Sequence, residues 1–115
     1  MIDPERKIIL KARAAILKAM AHETRLFIME QLATGPHCVC ELQAMIGADM
    51  STVSKHLSVL KHAGIIVDER RGANIFYHLR VACALDFLTC CERIIASNAD
   101  EQQQLTRILR EGCCS

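Results

Sequence analysis

The sequence predicts a mainly α-helical fold carrying one small β-hairpin, an α+β arrangement in a single domain over residues 1–115. Three observations lead there. Apolar residues recur at helical spacing along most of the chain. Two stretches, residues 65–71 and 75–79, switch to an extended, β-rich pattern around the turn-forming Gly72-Ala73-Asn74. Half of the residues are apolar (51%), yet there are only three phenylalanines, one tyrosine and no tryptophan. Such an aliphatic composition suits helix packing, and 115 residues suffice for one modest core.

Each element has its own local signal. Pro4 fits the first turn of a helix capped by Asp3, and Ile8, Ile9, Ala12, Ala15, Ile16 and Ala19 form its apolar face. Ala21-His22-Glu23-Thr24 interrupts that pattern. In the second helix Leu26, Phe27, Ile28, Met29 and Leu32 nearly encircle the axis, which marks it as the central core helix. Thr34-Gly35-Pro36 ends it. A short helix over residues 39–46 is closed by Gly47. The next, capped by Asp49 or Ser51, runs to Ala63 and stops at Gly64. These two short helices and their tight turn form a helix-turn-helix. The two strands follow at once, joined by a three-residue loop, and a hairpin in that place is a wing. A long helix resumes over residues 80–98, and a last, more polar helix covers 100 to about 110.

Composition narrows the function classes. The net charge of +1 excludes no partner, since a DNA binder needs only a local cluster of lysine and arginine. The polar start Met1-Ile2-Asp3-Pro4-Glu5-Arg6 is no secretory signal, and no apolar run reaches membrane-spanning length. A cytoplasmic chain without a membrane partner is the expectation. There, seven cysteines point to metal or redox chemistry rather than to a disulfide framework. No Cys-x-x-Cys lies in a strand–helix unit and no loop is long enough to hold a substrate, so an enzyme is not expected.

The helix beginning near Ser51 divides into two faces. Val53, Leu57 and Leu60 share the anchoring side, while Ser51, Lys55, Ser58 and His62 share the opposite one, flanked by Thr52. Small hydroxyl residues, Ser54 among them, allow close approach to a major groove and donate to phosphates or base edges. Lys55 adds charge for counterion release. In the wing, Arg70, Arg71 and Asn74 suit a phosphate track or a minor groove. His56 lies to one side and is expected to pack or to touch phosphate rather than to bind metal.

The stretches Ala21-His22-Glu23-Thr24-Arg25-Leu26, Cys38-Val39-Cys40-Glu41-Leu42, residues 51–64 from Ser51-Thr52-Val53-Ser54-Lys55-His56-Leu57 to Ala63-Gly64, and Ile75-Phe76-Tyr77-His78-Leu79 resemble the ArsR/SmtB family of winged helix-turn-helix repressors. The likeness runs from about Ile8 to Ile95, with several motifs in the same order. It implies a homodimer paired through the first and the long penultimate helix. It also implies an apo form bound to double-stranded operator DNA and an inducer-bound form that lets go.

Cys38 and Cys40 stand at a helix start, where the chain is still partly extended and both sulfurs can turn toward one ion. Mid-helix they would point about 200° apart. A helix N-terminus favours thiolate, and thiolates select soft ions. The Cys-x-Cys spacing is similar to that of the arsenic- and cadmium-responsive members of the family, which implies Cys38 and Cys40 as ligands. The arsenic-type pattern has a third cysteine three residues further on, where this chain has Gln43. Residues 1–37 contain no cysteine, so no N-terminal arm can supply one. The third sulfur must then come from Cys83, Cys90, Cys91, Cys113 or Cys114.

Along the long helix Ala84, Phe87, Leu88, Cys91 and Ile95 define the apolar face, with Cys91 near its centre and Cys83 and Cys90 at its rim. Cys90 is therefore the preferred third ligand. The family's histidine-rich site is missing, because residues 80–98 hold no histidine. As(III) or Sb(III) is the expected inducer, with Cd(II) or Pb(II) as the alternative and no organic cofactor. A thiol-redox sensor forming disulfides or persulfides is the competing reading.

Overall fold

The structure, a computed structural model, describes residues 1–113, with side chains through Glu111. The chain divides into two compact units, one from Met1 to Ala82 and one beginning at Cys83. The first holds helices α1 (Pro4–Met20), α2 (Glu23–Ala33), α3 (Val39–Ile46) and α4 (Met50–His62). It also holds strands β1 (His37–Cys38), β2 (Ile66–Arg71) and β3 (Asn74–Leu79). The second is a single helix, α5 (Ala84–Cys113).

The core of the first unit is aliphatic, as its composition demands. Ile28, Met29 and Leu32 of α2 meet Leu42 of α3, Val53, Leu57 and Leu60 of α4, and Ile66 of β2, all 3% exposed or less. The 3.6-residue period puts Val53, Leu57 and Leu60 on one side of α4, as expected. The α3–α4 junction is set by Gly47, whose φ of 80° supplies a left-handed cap that few other residues tolerate. Asp49, not Ser51, caps α4: its Oδ1 accepts the Thr52 amide at 3.3 Å. Ser51 instead donates its hydroxyl to Asp49 Oδ2 at 2.9 Å.

Four features differ from the sequence expectation. The sheet has three antiparallel strands in the order β1-β3-β2, not two. The added strand β1 is only two residues long, below the length at which alternation can show. The wing turn has two residues, not three, because Asn74 already pairs with Arg71 in the ladder. Gly72 has φ 62° while Ala73 has negative φ, which matches a hairpin turn with glycine at its first central position. Finally, α5 runs unbroken for 30 residues where two helices were expected. Asn98-Ala99-Asp100 contains neither glycine nor proline, and asparagine and aspartate lower helix propensity too little to break the run. The long helix is thus the last element rather than the penultimate one. Its N-terminus is also later than expected, at Ala84, because the Arg80 amide donates to Ile65 O at 2.9 Å and extends the sheet end instead.

The candidate sulfur site and reading helix

Cys38 has extended geometry (φ −81°, ψ 162°) and is the N-cap of α3. It also belongs to β1, opposite Phe76 of β3. Paired on one side and helical on the other, it is buried, at 8% exposure. Cys40, one residue into the helix, is exposed. The two thiols of the pair therefore differ in access.

Glu41 is a residue that sequence reasoning missed. It occupies the third helical position, three after the cap, and its carboxylate turns back over the helix start. Cys38 Sγ donates to Glu41 Oε1 at 3.3 Å, and the His37 ring donates from Nδ1 to Oε2 at 2.8 Å. The hydrogen bonds from His37 and Cys38, in that order, hold the Glu41 carboxyl below its usual range. A carboxylate at this position is half of a capping box, so the spacing Cys-x-x-Glu carried the signal. The Cys38 sulfur is thus engaged by a carboxylate across the helix start. His37 is tied down too: its Nε2 lies 3.3 Å from the Thr34 hydroxyl, which itself donates to Gln31 O at 2.7 Å.

Among the described residues no three histidine, cysteine, aspartate or glutamate side chains are grouped to hold an ion. Cys38 and Cys40 offer two sulfur donors and no more. Cys90 is exposed and Cys91 half-buried on α5, whereas Cys83, also exposed, lies in the turn just before α5 and not on its rim. The tail pair Cys113 and Cys114 lies outside the described side chains.

On α4, Ser51, Thr52, Ser54, Lys55, Ser58 and His62 are all exposed. They do not form one uniform face. Ser58 and His62 line a groove of about 730 Å³ shared with Ala12, Ala15, Ile16 and Ala19 of α1. His62 Nδ1 donates to the Ser58 carbonyl at 2.9 Å, which leaves Nε2 outward. Lys61 is committed to Asp68 of β2 at 2.8 Å. Their mutual hydrogen bond raises the lysine and lowers the aspartate from their ordinary values. That pair fastens the wing to α4. In the wing, Arg71 bonds Glu69 at 3.3 Å and stacks over Phe76, 5.1 Å from the ring centroid. Arg70 Nε donates to Gly72 O at 3.4 Å. Both arginines and Asn74 remain exposed. His56 packs against His22, with ring centroids 4.4 Å apart.

A short helix pair followed by a β-hairpin, its sheet completed by β1 from before the pair, is a winged helix-turn-helix. The profile described as "Bacterial regulatory protein, arsR family" matches residues 22–67. The chain is 34% identical over 90 residues to the "Biofilm growth-associated repressor" of Xylella fastidiosa, covering 78% of this chain and 77% of that one. It is 42% identical over 66 residues to the "HTH-type transcriptional regulator NmtR" of Mycobacterium tuberculosis, covering 57% of this chain and 55% of that protein. The chain thus spans only about half the length of that relative. Among solved structures, the transcriptional repressor BigR from Xylella fastidiosa superposes with a TM-score of 0.68 at 31% identity, covering 82% of this chain and 96% of that one. This chain belongs to the arsR family of bacterial regulatory proteins, a family of regulators rather than enzymes.

Proposed function

We propose that this protein is a transcriptional repressor that binds operator DNA as a homodimer and releases it when a thiophilic ion binds its cysteines. Repression is the role that its Xylella fastidiosa relatives are named for, and it supports this reading. The observation that carries the sensing half is the position of Cys38. It caps α3, the helix before the reading helix, and pairs with the wing strand at the same time. A ligand there would touch the helix that leads into the reading helix and, through β1, the wing strand β3.

In this reading α4 enters the major groove with Ser51, Thr52, Ser54 and Lys55 leading, supported by Ser58 and His62, and Arg70, Arg71 and Asn74 follow the backbone from the wing. A second copy covers apolar surface that one copy leaves open. Ile8, Ile9, Ile16 and Leu17 of α1 are exposed, and so are Phe87 and Ile95 of α5.

Cys38 and Cys40 supply two sulfurs and Cys90 the third. As(III) or Sb(III), when bound, supplies a three-coordinate pyramidal centre that suits three thiolates; Cd(II) or Pb(II) fits with a fourth. Cys38 must leave Glu41 to take part, which disturbs the start of α3. A coupling of about 1–3 kcal/mol between inducer and DNA makes a usable switch.

The test is a titration of DNA-bound protein with arsenite, antimonite, cadmium, lead, zinc and peroxide. Release by arsenite or antimonite is expected, with Cys38→Ser and Cys40→Ser still bound to DNA but unresponsive. Release by peroxide alone supports the thiol-redox reading instead. No release by any of them, or no DNA binding in the reduced protein, refutes the proposal.

A further inference from the structure

His22 and His56 belong to different elements. His22 is the N-cap of α2, and its Nδ1 accepts the Thr24 amide hydrogen at 3.0 Å. That nitrogen must be unprotonated to serve as a cap. His56 sits on the flank of the reading helix α4, half-buried, with its ring tilted 42° against His22. Arg25, less than one turn along α2, adds a fixed positive charge, and its buried Nε has no hydrogen-bond partner. Burial first, then His22 and Arg25, hold His56 below the ordinary histidine value of 6.5. From α2 the groups acting on it are thus all basic; Glu23, the acidic residue of the first turn, is not among them. On its own helix the neighbouring charge is Lys55, which is exposed.

We propose that the His22–His56 pair is a proton-sensitive brace between α2 and the reading helix, so that acid weakens the hold on DNA by a route separate from the thiols. A proton on His56 sets a cation against the His22 ring and Arg25 at close range. That favours separation of α2 from α4, the helix that must be held still to read a groove. The stabilisation from neutral His56 is fully present above about pH 6.5 and is lost as pH falls below that, through the lowered folded value.

The DNA readout rests on the proposed DNA-binding function, so two measurements are paired. The first is affinity for a duplex enriched from a random pool, followed from about pH 7.5 to about pH 5. The second is the urea midpoint of the DNA-free chain over the same range. Wild-type affinity should fall across this range, and the folding equilibrium constant should fall by about tenfold for each pKa unit by which His56 is depressed, lowering the urea midpoint. His56→Gln should match wild type near pH 7.5 and show a flatter profile in both measurements. His22→Asn, which keeps a capping side chain but removes the ring that faces His56, should flatten them too and serves if His56→Gln does not fold.

Ring-proton NMR of His56 in the wild-type protein gives a direct check. A midpoint at or above the ordinary histidine value overturns the brace, as do variant profiles as steep as wild type. A chain that binds no duplex at any pH sinks the repressor reading, while the urea profile still decides the brace.

Discussion

Cys38 lies directly opposite Phe76 across the β1–β3 ladder, and the Phe76 ring in turn carries Arg71 of the wing at 5.1 Å. A continuous path of backbone pairing and ring stacking thus joins the buried thiol to a wing cation. If an ion draws Cys38 outward, β1 must loosen from β3, and the wing loses its inner support. Inducer binding is therefore expected to speed amide hydrogen exchange at Phe76 and Tyr77. Phe76→Leu should leave ion binding unchanged and weaken DNA binding by about two- to fivefold, the range of an exposed cation–π contact. Unchanged exchange at β3 in the ion-loaded protein would show that the wing takes no part.

Little of that path was legible in the sequence, for a physical reason. A two-residue strand has no period, and its pairing with β3 is a long-range event that local pattern cannot encode. The helix-turn-helix was legible because Gly47 and Gly64 punctuate it and Val53, Leu57 and Leu60 keep one helical face. The continuity of α5 is not legible, because Asn98 and Asp100 look like a boundary on composition while their backbone cost is small. At the sulfur site the spacing of Cys38 and Cys40 was plain. Their unequal burial was not, since it follows from β1, and neither was the Glu41 carboxylate, whose capping-box position went unused.

The third sulfur can be assigned by counting. Cys90 on α5 and Cys83 in the turn before it are both exposed, so access does not separate them. If Cys90 is the ligand, Cys90→Ser lowers the number of arsenic–sulfur bonds seen by X-ray absorption from about three to about two, and Cys83→Ser leaves it unchanged. The reverse result would transfer the role to Cys83. Loss of neither would point to Cys91 or the tail pair.

Gly64 ends α4 with φ 79°, and a Cβ there would lie 3.0 Å from Arg80 Nη1. The left-handed backbone alone costs an L-residue about 1–2 kcal/mol, and the arginine must also shift. Gly64→Ala is expected to destabilise by at least that amount in urea unfolding, with arsenite affinity intact in whatever fraction remains folded.

Asp49 links the reading helix to pH in the acid range. Hydrogen bonds from Thr52 first, then Ser51, hold its carboxyl below the ordinary value of 3.8. The contribution of the ionised cap is therefore present above about pH 3.8 and is lost as pH falls through the lower folded value. Asp49→Asn keeps a good cap without a titrating group. Its urea midpoint should match wild type near neutrality and decline less steeply in acid. An identical acid limb would mean that Thr52 and Ser51 do not favour the ionised form.

Lys55 and Ser54 should separate affinity from sequence reading. Lys55 is exposed and forms no ion pair among the described residues, whereas Lys61, six residues on, is held by Asp68. If α4 enters the groove as proposed, a free lysine on its outer face meets phosphate and releases a counterion. Lys55→Gln should therefore weaken binding to all duplexes alike and reduce the slope of log affinity against log salt by about 1. Lys61→Gln should change that slope little, because its charge is already neutralised locally, and should instead loosen the wing. Ser54→Ala should leave the slope unchanged and reduce discrimination between duplexes, at a cost of about 1–3 kcal/mol if Ser54 meets a base edge. A salt slope that falls for Lys61→Gln and not for Lys55→Gln would place the DNA on another face of the helix.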